Sequence, residues 1–194
     1  MKKIAFFILI TLSGISSYSQ GYVQLVFGYT PLQATSVNTK GTANAYEINM
    51  IGISDGSFVV GGGKLGVGVY TFRGIPNEEI YNTKDPFKKS MSRIDIHAAP
   101  MLGVGTHIVK LVCSPQFGLF YCGMTSNGPK LNTTLKLDAD LIIANAVSLG
   151  ISYSPFNLKL VSTNWNSTYL DESYILIKPS LQFKISLLIS GNNE

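Results

Sequence analysis

The chain has 194 residues, 45% of them hydrophobic and only 13% charged, about half the ~25% charge of typical soluble domains. With 10 Tyr, 10 Phe and 19 Gly, it is excluded from the disordered class, which has few aromatics and much charge. So few charges also disfavour an ordinary water-soluble enzyme, whose surface they would not cover.

Taken from the start, Lys2 and Lys3 precede a short apolar run, 4–12, followed by small residues with Ser17 and Ser19 at the places of a cleavage site. This order is that of a secretory signal peptide over 1–19, too short in its apolar part to span a membrane. The mature chain is then expected to begin at Gln20. Without Lys2 and Lys3 the formal net charge falls from +4 to +2, so the basic balance is no argument for a nucleic-acid partner.

Beyond Gln20 the apolar residues alternate, which is the period of a strand. Val23, Leu25, Phe27 and Tyr29 oppose Gln24 in a first strand, and Tyr46, Ile48 and Met50 oppose Glu47 and Asn49 in a second. Val59, Leu65, Val67 and Val69 oppose Lys64 and Tyr70 in a glycine-rich third; Ile94, Ile96, Ala98, Leu102 and Val104 oppose Arg93, Asp95 and His97 in a fourth. Val109, Leu111, Phe117, Leu119 and Tyr121 oppose Lys110, Ser114 and Gln116 in a fifth. Leu135, Leu137, Ala139, Leu141 and Ile143 oppose Lys136, Asp138 and Asp140 in a sixth, and Val147, Leu149, Ile151 and Tyr153 oppose Ser148 and Ser152 in a seventh. An eighth strand is read through Ile175, Ile177, Leu181, Phe183, Ile185 and Leu187, opposite Lys178, Gln182 and Lys184. Pro155 reads as a one-residue bulge, since the apolar phase switches there to Phe156, Leu158 and Leu160. Pro100, Pro115 and Pro179 fall inside strands and read as bulges or strand ends.

The connections alternate in length. Those at 31–43, 74–90 and 161–172 are long and that at 125–132 intermediate, whereas 54–56, 105–107 and 144–146 are short. Three-residue links hold no crossover helix, so the pattern predicts an all-β, antiparallel up-and-down barrel of about eight strands with all long loops at one end. Either face of such a barrel could be wet, and a lipocalin-like soluble barrel would turn its apolar face inward. The scarcity of charge, strands exceeding the ~9–11 residues of a bilayer crossing, and Tyr29, Tyr46, Phe72, Tyr121 and Tyr174 near the long-loop ends favour the inverted, transmembrane arrangement, with an aromatic girdle.

At this point the chain resembles the small outer-membrane β-barrel families of Gram-negative bacteria, over residues 20–189, with 190–194 as a polar tail. The resemblance rests on the leader, the alternation, the loop asymmetry and proline-bearing strands such as IHAAPMLGVG (96–105) and ILIKPSLQFKISLL (175–188). It implies an exported protein of the cell outer membrane, with short periplasmic turns and longer external loops. Its implied partners are membrane lipid and the outer-membrane assembly machinery.

By strand phase, Glu47, Lys64, Arg93, Asp95, His97, Lys110, Lys136, Asp138, Asp140, Lys178 and Lys184 face the lumen. An eight-stranded barrel is just wide enough for side chains to fill, and buried charges there are expected to pair, plugging the lumen. The pair Asp95 and His97 would suit a lipid-modifying enzyme that activates a luminal Ser, but no nucleophile motif accompanies it. Cys113 and Cys122, nine residues apart on one strand, would stand roughly 30 Å apart, far beyond disulfide reach. Two Cys and two His without ligand spacing give no metal site, and no cofactor is implied. In the last long loop, Trp165 beside Asn164, Asn166 and Tyr169 suits either a protein or glycan contact or an anchor at the membrane interface. The function expected is that of a non-enzymatic structural or interaction protein acting through its external loops, with a narrow pore and a lipid-modifying enzyme as alternatives.

Overall fold

The computed structural model describes residues 19–33, 40–54, 58–74, 91–125, 128–161 and 174–190. They form ten strands: β1 (Ser19–Gln33), β2 (Lys40–Ser54), β3 (Val59–Arg73), β4 (Met91–Gly105), β5 (Val109–Thr125), β6 (Gly128–Ile143), β7 (Val147–Ser154), β8 (Leu158–Val161), β9 (Tyr174–Ile177) and β10 (Ser180–Ser190). Eight of them close an antiparallel barrel in chain order, β1 to β7 and then β10, which pairs back onto β1 from Tyr22↔Ser190 to Tyr29↔Phe183. The expected all-β, eight-stranded barrel is therefore observed. β8 and β9 form a separate two-stranded sheet.

Alternation sets the two faces of the wall, as the pleat demands. Leu137, Leu141, Phe183 and Ile185 point outward, 37–52% exposed, whereas Lys136, Asp138, Asp140 and Lys184 point inward and are buried. At the 144–146 turn, Ala144 and Asn145 both have φ near +50° and the Ala146 N–H donates to the Ile143 carbonyl. This is a left-handed two-residue hairpin turn, whose twist matches that of the flanking strands.

The structure corrects several boundaries. Residues 31–33 and 40–43 belong to β1 and β2, paired up to Gln33↔Lys40, so the first long loop shrinks to 34–39. The link read at 125–132 shrinks to 126–127, because β5 and β6 pair out to Thr125↔Gly128. At Pro155 there is no bulge: the chain leaves the wall after Ser154, and Leu158 and Leu160 belong to the hairpin. Proline has no N–H to continue the ladder with β6. The eighth strand is likewise broken at Lys178 and Pro179 into β9, outside the wall, and β10, within it.

Pro100 and Pro115 mark no bulge either. β4 and β5 pair at Ala98↔Phe117 and, in unchanged register, again at Leu102↔Cys113, which sets the two prolines opposite one another. Both missing donors thus fall in one short interruption rather than two. The register shift of β5 lies instead between Tyr121 and Gly123. Of the expected girdle, Tyr29 and Tyr46 are exposed, but Phe72 is buried on the inner row with Tyr70, and Tyr174 lies on β9.

Inside, the lumen is layered. Tyr22, Ile51, Ile53, Val60, Met101, Val112, Ile142 and Leu188 form an apolar layer at the short-turn end. At the other end, Leu32, Ala43, Ala45, Tyr70, Phe72, Phe120 and Cys122 pack with Leu160 and Ile177 of the hairpin. Charged and amide side chains fill the space between.

Candidate functional site

Among the described residues, eight charged side chains are buried in the lumen: Glu47, Asp95, Asp138 and Asp140 against Lys64, Lys110, Lys136 and Lys184. The charge is balanced, as groups held away from water require. Asp138 Oδ2 accepts from Lys64 Nζ at 2.5 Å and lies 3.0 Å from Lys184 Nζ, which also reaches Asp140 Oδ1 at 3.3 Å. A second network crosses the barrel. Gln24 Nε2 donates to Ser186 Oγ at 2.9 Å, and Asn49 Nδ2 donates to Gln24 Oε1 at 3.0 Å. His97 Nε2 meets Asn49 Oδ1 at 2.8 Å, and His97 Nδ1 meets Asp95 Oδ2 at 3.0 Å. Lys136 Nζ then links Asp95, at 3.3 Å, to the Tyr70 hydroxyl, which donates to Glu47 Oε1 at 2.5 Å.

Small residues make this crowding feasible. A Cβ at Gly66 would stand 1.8 Å from Asn49 Oδ1 and 2.7 Å from His97 Nε2, and one at Gly150 would stand 2.0 Å from Asp140 Oδ1. The glycine-rich third strand is thus the space into which the side chains of β2 and β4 reach.

Nine of the eleven residues assigned to the lumen by phase lie within it; two do not. Arg93 is only partly buried at the long-loop rim, where its Nε donates to the Cys122 carbonyl at 2.6 Å and its guanidinium lies 5.9 Å from the Tyr121 ring centre. Lys178 is half-buried at the junction of β9 and β10, and its backbone N–H donates to the Gln33 carbonyl at 2.9 Å. Lys110 is luminal but sits at the turn end, where its Nζ donates to Asn145 Oδ1 at 2.9 Å. Trp165, Asn164, Asn166 and Tyr169 lie outside the described residues. Cys113 faces outward and Cys122 inward, where its thiol donates to the Phe120 carbonyl, and neither is in a disulfide.

Both imidazole nitrogens of His97 are taken by oxygens of Asp95 and Asn49, with Glu47 Oε2 4.0 Å from Nε2. The ring ties β4 to β2 across Gly66 of β3 and presents no free edge to a hydroxyl nucleophile.

A cavity of about 80 Å³ lies at the long-loop end, at the bottom of a wider open-sided cleft. Its apolar wall includes Leu32, Phe72, Phe120, Leu158 and Ile177, and its polar lining includes Thr30, Lys136, Lys178 and Gln182. By strand phase Tyr70 and Gln182 stand on the inner rows, but no motif in the sequence marks them as part of a site. The phase of β3 and β10 carried that signal, but the fold-back of β8 and β9 that makes the cavity has no counterpart in the alternation.

Compared with known proteins, the chain matches no family model, no curated protein and no solved structure.

Proposed function

We propose that this chain is an integral outer-membrane β-barrel with a closed lumen, a structural or interaction protein that works from its long-loop end. One observation carries the reading: the wall is inverted, with apolar rows such as Ile48, Met50, Phe183 and Ile185 exposed and eight charges buried inside. In water such a surface would be a contiguous apolar patch far beyond what soluble monomers show, whereas lipid solvates it. Closure fits the same solvent, because an open sheet edge is not tolerated in hydrocarbon. β1 to β6 each have 15 to 17 residues, ample for a tilted crossing of ~9–11.

The two apolar layers argue against a conducting pore, and the double engagement of His97 argues against the enzymatic alternative. Membrane lipid is then the partner of the outward rows, and the assembly machinery that of the nascent barrel. A protein or glycan partner belongs to the long-loop end, where loops carry adaptable polar surface on a rigid scaffold.

Density-gradient fractionation of a Gram-negative host expressing the full chain tests the reading. The protein is expected with the outer membrane, beginning at Gln20. Its release by osmotic shock, or retention of Met1, overturns it. Discrete conductance in planar bilayers would overturn the closed lumen.

A further inference from the structure

The barrel wall is not of even height. β6 runs from Gly128, but its ladder with β7 begins only at Leu137↔Tyr153, because Pro155 turns the chain out of the wall. The stretch 131–136 therefore has a strand partner in β5 and no ladder partner on its other side among the described residues. Five consecutive residues of it, Asn132 to Lys136, line the cavity together with Ser154 at the end of β7 and Phe156 and Asn157 of the β7–β8 link. Neighbouring residues on a strand point to opposite faces, so a cavity that touches all five lies along the edge of β6. It is a notch in the side of the barrel.

The level of the notch follows from strand geometry. At ~3.3 Å per residue and a tilt near 40°, Lys136 stands about 18 Å and Asn132 about 28 Å above Ile143, against an apolar band about 25 Å tall. The notch thus straddles the outer border of that band. Phe156, 66% exposed, stands at its lip.

Its lining has a definite chemistry. The charged residues are Lys136 and Lys178, with no carboxylate among the lining residues. Lys136 is committed to Asp95 and Tyr70, whereas Lys178 Nζ makes no ion pair with a described residue. Gln182 is 94% buried, and its Nε2, tucked against Gly28, has no hydrogen-bond partner among the described residues, so it meets a ligand by turning into the cavity. Buried donors are rarely left so. The enclosed part is about half the ~150 Å³ of an engineered pocket that admits benzene, so it takes a few methylenes of a slender chain, the rest of which lies in the open cleft around it.

We propose that the notch is a lateral entrance through which an anionic single-chain amphiphile docks, its head held by Lys178 and Gln182 and its alkyl chain lying along Phe72, Phe120 and Ile177. The entry route rests on the membrane reading above; the cavity and its donors do not.

The full chain in phosphatidylcholine nanodiscs is titrated calorimetrically with dodecanoate, lysophosphatidic acid and dodecyltrimethylammonium, against empty nanodiscs. Saturable binding of an anionic probe is expected, and the stronger of the two identifies a free acid or a lipid headgroup as the source. Losing one hydrogen bond to a charged group is worth about tenfold, so Lys178→Gln and Gln182→Met should each weaken binding by about that factor. Ala43→Leu, which fills the cavity, should abolish it in a barrel still folded by its heat-dependent gel mobility. No saturable binding beyond the empty discs, equal binding of the cation, or unchanged binding in Lys178→Gln overturns the proposal. The same titration in a non-ionic detergent separates the two readings. Binding there, with the protein absent from membrane fractions, sinks the membrane reading alone, and no binding in either medium sinks the site.

Discussion

Asp138 lies between two lysines, and the two do not depend on it equally. Among the described residues, the one carboxylate within ion-pair reach of Lys64 is Asp138, at 2.5 Å, whereas Lys184 also has Asp140 at 3.3 Å. Asp138→Ala therefore leaves Lys64, 2% exposed, with its charge uncompensated. Removing one partner of a buried pair costs about 3–5 kcal/mol. Asp140→Ala leaves Lys184 on Asp138, and its expected cost is about 1.5–3 kcal/mol, that of a hydrogen bond to a charged group. Replacing both partners, as Lys64→Met with Asp138→Leu, keeps the lumen balanced. Since apolar replacement of a buried ion pair is often neutral, the double variant should recover at least about 2 kcal/mol of the single variant's loss. Equilibrium urea unfolding of the full chain refolded in phosphatidylcholine vesicles measures all four proteins. Equal losses for Asp138→Ala and Asp140→Ala, or a double variant no more stable than Asp138→Ala, would refute the reasoning that charge balance governs this lumen.

Three further outcomes are expected. Leu141→Arg, on the outward row, should destabilise the vesicle-inserted barrel by about 2–4 kcal/mol, while Asp140→Asn is milder; equal tolerance of the two would count against lipid on that face. Gly66→Ala puts a methyl 1.8 Å from Asn49 Oδ1, whereas a Cβ at Gly21 meets nothing within 4 Å. Urea unfolding should therefore show a loss of about 1–3 kcal/mol for the first and none for Gly21→Ala. In thiol labelling with a membrane-permeant maleimide, Cys113 should react in the folded barrel and Cys122, 0% exposed, only after unfolding; labelling of both at equal rates would contradict the assigned phase of β5.

Much of this architecture is written in the period of the chain. Alternation alone assigns Asp138 and Lys184 to one face and Leu137 and Phe183 to the other, because successive residues of a strand point to opposite sides whatever their neighbours. Three-residue links exclude crossover helices for an equally local reason. Height in the wall is another matter. Arg93 shares the phase of Asp95 and His97, yet it stands at the rim, and Lys178 shares that of Gln182 yet lies at a strand junction. In a tilted barrel, depth depends on the register between strands, and no single strand encodes it. The prolines show the same division. The sequence shows that Pro100, Pro115, Pro155 and Pro179 each lack a ladder donor. Only tertiary pairing decides that the first two face each other within an unbroken register, while the last two release β8 and β9 from the wall. That release folds Leu160 and Ile177 over the lumen and leaves the β6 edge without a ladder partner among the described residues. The notch and its cavity are thus products of long-range pairing, whereas the inverted wall around them follows from residues two apart.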